Sequence, residues 1–155
     1  MRRLAALSLA CAAAALAGGC GGAEGVAPGA VVRVYVAAPL CAEARRELRR
    51  EGQPGEIRVT VACLASELGR HGELGLSAVG ADARRATQDS TTVAYLEGPG
   101  QASRFAQPIV EEAGIAYVRT RSGSRAMAGV LRAVEEADTG SGSLRDEVRK
   151  TLESR

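Results

Sequence analysis

Aromatic side chains are scarce in this sequence of 155 residues, which has no Trp, one Phe (Phe105) and three Tyr. With so few rings, the core has to be built from Val, Leu, Ile and Ala, and ligand binding by aromatic stacking is disfavoured. Histidine is nearly absent as well, since His71 in the glycine-rich run 69–75 is the only one. No Ser or Cys pairs with it in a recognisable pattern, so the nucleophile–base arrangement of hydrolases is missing.

The chain also lacks an excess of either charge and a cluster of metal-ligating residues. Without Arg2 and Arg3, 18 basic side chains stand against 18 acidic ones, whereas nucleic-acid-binding proteins usually show a basic excess. The remaining cysteines and the one histidine have no tight ligand spacing, so no zinc site is predicted. Glu111 and Glu112 are neighbours on one predicted helix and point about 100° apart, which rules out an acid–base pair. We therefore expect no enzyme activity, no metal or cofactor, and no nucleic-acid partner.

Among the features that are present, the first twenty residues, MRRLAALSLACAAAALAGGC, are the most informative. Arg2 and Arg3 precede the apolar stretch Leu4–Leu16, and the small residues 17–19 run directly into Cys20. A basic, an apolar and a small-residue region in this order are typical of a secretory signal. Because a cysteine ends it, the segment resembles a bacterial lipoprotein signal.

The resemblance implies that residues 1–19 are removed and that Cys20 is lipidated and becomes the first residue. The protein would then be anchored by lipid to the cell membrane, on its extracytoplasmic side. Plain secretion and a retained anchor are the alternatives. Residues 20–30 are rich in glycine, which is typical of a flexible tether. Residues 31–155 are long enough for one domain with its own core.

The four cysteines divide into two groups. Cys11 would leave with the signal and Cys20 would carry the lipid, so Cys41 and Cys63 remain as a pair. In an oxidising compartment such a pair is expected to form a disulfide. Cys41 follows the first predicted strand and Cys63 lies near the end of the second, so with these strands adjacent in a parallel sheet both fall at the same carboxyl edge. A bond there is geometrically plausible, provided that the Cα atoms come within about 7 Å. Two buried free thiols are the alternative.

Hydrophobic patterning predicts strands and helices in alternation. The predicted strands are 31–36, 57–64, 91–96 and 115–118, and the predicted helices between them are 42–50, 78–88 and 102–113. After residue 122 the pattern becomes purely helical. A final helix is expected to start at Ser143, with Asp146 three residues later as in a capping box.

This alternation predicts right-handed crossovers and therefore a parallel sheet. The expected fold class is α/β, a three-layer Rossmann-like parallel sheet of about four strands with helices on both faces and two C-terminal helices. The first strand is expected inside the sheet and the second at one edge.

The turn after the third predicted strand has the pattern Gly98-x-Gly100-x-x-Ser103. It lacks the third glycine of the dinucleotide-binding fingerprint and does not follow the first strand. The simplest interpretation is a tight turn that requires small residues. Because main-chain N–H groups at a helix start can bind a carboxylate or phosphate, weak anion capture there, assisted by Arg119 and Arg121, is the functional alternative.

Residues 89–118 resemble the type 1 periplasmic binding proteins, the leucine-binding-like receptors for branched-chain amino acids of ABC importers. The run PIVEEAGI at 108–115 is the most specific part. Residues 31–40, 80–88 and 124–137 are similar to other segments of that family. The resemblance covers one lobe of a two-lobed fold and implies a single-lobe, truncated form.

In that family, this lobe contacts its solute from the turns after the third and fourth strands. The resemblance therefore implies Ser103 and Thr120 as ligand-binding residues, a small solute such as an amino acid as ligand, and an ABC permease as partner. The function it implies is that of an extracytoplasmic solute-binding lipoprotein. The alternative is a non-transport envelope lipoprotein whose lobe binds another envelope protein, or a second copy of itself as a homodimer.

Overall fold

The computed structural model describes residues 29–65, 75–138 and 143–154, which form four strands and five helices. The predicted signal, Cys20 and His71 lie outside the described residues. In chain order the elements are β1 (Val31–Val36), α1 (Ala38–Glu51), β2 (Arg58–Cys63), α2 (Leu76–Gln88), β3 (Thr92–Glu97), α3 (Gln101–Glu112), β4 (Ala116–Arg119), α4 (Gly123–Asp138) and α5 (Leu144–Glu153).

The strands form one parallel sheet in the order β2-β1-β3-β4. This confirms the predicted α/β class, with β1 inside and β2 at an edge. Every residue of β3 is buried, polar Thr92 and Glu97 included. Because helices cover both faces of a parallel sheet, such a strand needs no alternation of apolar and polar residues.

Two helical layers enclose the sheet. One face is covered by α1, α4 and α5, which bury a core of valine, leucine and alanine around Val34, Leu96 and Met127. The other face is covered by α2 and α3, which pack around Tyr95 through small residues such as Ala83 and Ala106. The predicted aliphatic core is confirmed, with Tyr95 as a buried ring within it.

Two local predictions were wrong. The first helix begins at Ala38 rather than at residue 42, and Pro39 lies inside its first turn. Proline is tolerated there because its missing N–H would have no helical partner anyway. Ser143 occupies the N-cap position of α5, but its side chain makes no capping hydrogen bond to the helix. The predicted capping box is therefore absent from this part of the described chain.

No helix among the described residues is both long enough and apolar enough to cross a membrane.

Candidate functional site at the carboxyl edge of the sheet

The carboxyl ends of all four strands meet along one edge, and main-chain hydrogen bonds continue the ladder beyond the strands. The N–H of Leu64 donates to Val36 O at 2.9 Å and that of Ala37 to Leu96 O at 2.9 Å. The N–H of Thr120 donates to Glu97 O at 2.8 Å. The turns that follow the strands are thus fixed relative to one another, as a preorganised site requires.

A topological switch point lies between β1 and β3. From these neighbouring strands the chain leaves to opposite faces, because α1 belongs to the layer with α4 and α3 to the layer with α2. In open α/β sheets, ligands bind in the crevice outside the carboxyl ends of the strands at this point. The crevice is bordered here by the starts of α1 and α3.

The start of α3 is exposed and uncapped. Gly100 takes the N-cap position in an extended conformation, and no side chain of the described residues caps the helix there. Its first turn contains no acidic residue, and a side chain built on Gly100 would enter open space. The first N–H groups of α3 therefore have no side-chain cap among the described residues, and a helix start of this kind attracts negative charge.

Two arginines add positive charge at the same edge. Arg119 ends β4 in register with Glu97, and Arg121 lies in the turn that follows. Both are exposed, and neither forms an ion pair with another described residue. Beside the uncapped start of α3, they make this edge suited to an anionic group.

A buried acidic residue, which the sequence reasoning missed, lies beneath the turn. Glu97 is 1% exposed, and its Oε2 accepts a hydrogen bond from the Tyr117 hydroxyl at 2.9 Å. Burial, together with the Glu97 carboxylate, raises the pKa of Tyr117 far above its usual value, so the phenol remains a donor. The ring of Tyr117 stacks on Tyr95 at 5.8 Å. The sequence signal that could have pointed to Glu97 is a charged residue at the end of the apolar strand TVAYLE.

The two predicted ligand residues flank this pair, and their hydroxyls are used within the chain. Ser103 is 1% exposed and donates through Oγ to Gly100 O at 2.6 Å. Thr120 is half-buried, donates through Oγ1 to Ser122 O at 3.1 Å and accepts from Ser122 N at 3.1 Å. Both residues shape the turns that border the crevice, and their predicted contact with a ligand stays a prediction.

The disulfide lies at the same edge. Cys41, in the first turn of α1, is bonded to Cys63 at the end of β2, with Cα atoms 5.6 Å apart. This confirms the predicted pairing. It ties the edge strand β2 to the helix that borders the crevice.

The opposite, amino edge contains a groove of about 750 Å³, lined in part by Thr91, Gly114 and Arg145. Its loops are held by internal hydrogen bonds. The Arg145 guanidinium donates to the carbonyls of Ser90 at 2.9 Å and of Asp89 at 3.4 Å. The cationic group of Arg145 is therefore committed to main-chain carbonyls of these loops.

No known family model matches the chain, and neither the curated proteins nor the solved structures contain a match to it. Within the described ranges, no group of three or more His, Cys, Asp or Glu side chains is arranged to hold a metal ion.

Proposed function

We propose that the protein is an extracytoplasmic, lipid-anchored solute-binding protein that holds a small carboxylate-bearing solute, such as an amino acid, at the carboxyl edge of its sheet. The uncapped start of α3 beside the switch point is the observation that supports this most. The residues that resemble leucine-binding-like receptors support the same edge. An ABC permease is the partner that this resemblance implies.

In this proposal the solute carboxylate accepts hydrogen bonds from the first N–H groups of α3, as anions do at helix starts. Arg119 and Arg121 add positive potential from the neighbouring turn. Ser103 acts by fixing the turn through its bond to Gly100 O, and Thr120 acts by holding the turn that carries the arginines. Both are positioning residues here.

Binding is tested by thermal unfolding of the protein, without its lipid, in the presence of amino acids, their decarboxylated amines and simple carboxylates. At a solute concentration of 100 times Kd, binding adds about 2.7 kcal/mol to stability. For a domain of this size, that raises Tm on the order of 10 °C. We expect shifts with carboxylate-bearing compounds and none with the amines. A flat response across the panel from a cooperatively unfolding protein contradicts the proposal.

A pair of variants with equal charge change locates the site. Gly100→Asp places a carboxylate on the N–H groups of α3, where there is open space for it, and is expected to abolish the solute-induced shift. Gln88→Glu adds the same charge on an exposed residue at the amino edge and should leave the shift unchanged. Equal shifts in the two variants would place the solute elsewhere.

The lipid anchor is tested separately. Cys20→Ser is expected to move the protein from the membrane fraction to the soluble extracytoplasmic fraction, because the lipid attachment sulfur is removed. Cys11→Ser, within the same predicted signal, should leave the protein in the membrane fraction. Retention of the Cys20→Ser variant on the membrane would contradict a lipid anchor at that residue.

We propose self-association as the second candidate function, because the α2–α3 face leaves Phe105 47% exposed and Leu76 46% exposed. Burying two such side chains against a second copy would contribute several kcal/mol of hydrophobic free energy, on the order of 2 kcal/mol each. Sedimentation equilibrium is expected to show a dimer that Phe105→Ser weakens and that Val31→Ser, at the amino edge, does not. A monomer at all concentrations excludes this candidate.

A further inference from the structure

The two cysteines of the disulfide differ in exposure. Cys63 is the last residue of the edge strand β2 and is exposed, whereas Cys41 in α1 is 5% exposed. Cys63 is therefore the more accessible end of the disulfide for a thiolate approaching from solvent, and attack there makes Cys41 the group that leaves. Thiol–disulfide exchange depends on which sulfur is accessible and on how stable the leaving thiolate is.

Cys41 is buried in the apolar core, which disfavours a thiolate, and the start of α1 opposes this effect with its positive charge. Cys41 is the fourth residue of the helix, and its Cα–Cβ bond is tilted toward the helix start. No acidic residue lies in the first turn, and Ala37 at the N-cap position makes no side-chain capping bond. The nearest acid in sequence, Glu43, is bonded to Gly123 N on α4 at 2.8 Å. The positive end of a helix lowers the pKa of a cysteine thiol.

We infer that the Cys41–Cys63 disulfide is a thiol–disulfide exchange site. A thiolate attacks the Cys63 sulfur, a new S–S bond forms to Cys63, and the bond to Cys41 breaks with its electron pair on the Cys41 sulfur. A second thiolate then attacks the incoming sulfur and releases the Cys63 thiolate. The net step oxidises two thiols to a disulfide and reduces the protein disulfide to two thiols.

The surrounding fold can tolerate this opening. The end of β2 remains joined to β1 through the hydrogen bond from Leu64 N to Val36 O. The two strands are paired over their whole length, from Val31 opposite Arg58 to Val36 opposite Cys63. Exchange therefore frees the first turn of α1 from β2 without separating the strands. This inference does not depend on solute binding.

The site of attack is tested with the oxidised protein and reduced glutathione, with acid quenching and peptide mass spectrometry. We expect the glutathione adduct on Cys63, at a rate proportional to thiolate concentration and at least about 10-fold above the rate of global unfolding. In a second arm, reduced unfolded ribonuclease A replaces glutathione and tests whether a protein thiol serves equally. Reduction at the unfolding rate, independent of thiol concentration, overturns the inference.

The role of the helix start is tested by charge at exposed Ala42, next to Cys41. Ala42→Asp is expected to slow the glutathione reaction about 3-fold to 10-fold and Ala42→Arg to accelerate it. Equal rates in the two Ala42 variants, or an adduct on Cys41, contradict the inference.

Discussion

Among the helices that start at the carboxyl edge of the sheet, α3 after β3 and α4 after β4 have first turns with opposite environments. The start of α4 is filled from within. Gly123 N donates to Glu43 Oε2 at 2.8 Å, and Arg125 N donates to Ser122 Oγ at 3.3 Å. The start of α3 has no side-chain cap from the described residues.

The difference follows from what each helix packs against. The first residue of α4, Gly123, is buried on α1, so its N–H group has to find a partner inside the protein. The start of α3 follows the exposed turn Pro99-Gly100, where water or a ligand can satisfy the N–H groups. The N–H groups at the start of α4 are therefore bonded within the protein, whereas those at the start of α3 are left open for binding.

The largest expected effect on the free energy of unfolding comes from disturbing the start of α4, which we call the closed start because its N–H groups are bonded within the protein. A Cβ at Gly123 would collide with the carbonyl oxygen of Leu40 and come within 3.0 Å of Glu43 Cβ. Gly123→Ala should therefore lower the free energy of unfolding by about 3 kcal/mol, as overpacking does, measured by urea denaturation. Gly129→Ala in the same helix meets only Leu152 at 3.7 Å and should raise it by about 0.5–1 kcal/mol. Similar effects of the two would mean that α1 and α4 are not in close contact.

The contact between Glu43 and Gly123 shows what sequence reasoning could not reach. The two residues are 80 positions apart and meet only when α1 packs on α4, so no local pattern predicts their bond. The Cys41–Cys63 pairing was predictable because the ends of neighbouring parallel strands share an edge, whatever the details of packing.

The turns after the third and fourth strands were predictable in position, since the strand pattern fixes them. Ser103 lies in the first turn of α3, and Thr120 directly follows β4. That both hydroxyls bond to nearby main-chain carbonyls depends on turn geometry, which residue type alone does not specify. Similarly, the pattern predicts a first helix from residue 42, whereas α1 begins at Ala38 because the first turn of a helix accepts a proline such as Pro39.

Asp89 at the amino edge is a second polar group that is bonded within the protein, in contrast to the open start of α3. Its Oδ1 accepts from Thr91 N at 3.0 Å and from the Thr91 hydroxyl at 2.6 Å, and Arg33 lies at 2.7 Å from its Oδ2. Burial by itself would raise the pKa of Asp89, but the bonds from Thr91 and the charge of Arg33 outweigh it and lower the pKa below its usual 3.8.

A lowered pKa in the folded state means that the stabilisation is present at neutral pH and is lost as the pH falls through that pKa. Asp89→Asn should therefore cost about 1–2 kcal/mol at pH 7 and flatten the loss of stability below about pH 4. Urea denaturation at about six pH values between pH 2 and pH 7 measures both the cost at neutral pH and the loss of stability in acid. Asp146→Asn, whose side chain is 62% exposed, is the control and should change little. An unchanged acid dependence in Asp89→Asn would contradict the assignment.

Glu43→Ala removes the charged cap of α4 and tests the closed start without a steric clash. The loss of a cap and of a favourable charge at a helix start is expected to lower the free energy of unfolding by about 1 kcal/mol. Glu43→Gln should recover part of this, since its amide oxygen still accepts from Gly123 N. Glu56→Ala, exposed in a turn, serves as the control in the same urea titration. A cost no larger than that of the control would show that the α4 start does not depend on Glu43.

The smallest effect on the free energy of unfolding is expected from adding a cap to the start of α3. Gly100→Asp supplies to α3 the kind of cap that α4 already has, and the extended backbone at this position accepts a side chain. Replacing glycine at an N-cap gains only a few tenths of a kcal/mol, and the added charge raises the gain to about 0.5 kcal/mol. Gly100→Asn separates the two contributions, because it caps without charge. If the start of α3 is open, Asp exceeds Asn at low salt and the two converge at about 1 M salt, where screening removes the charge term. A loss of stability in both variants would mean that the first turn of α3 is already satisfied, and the contrast with α4 would then fail.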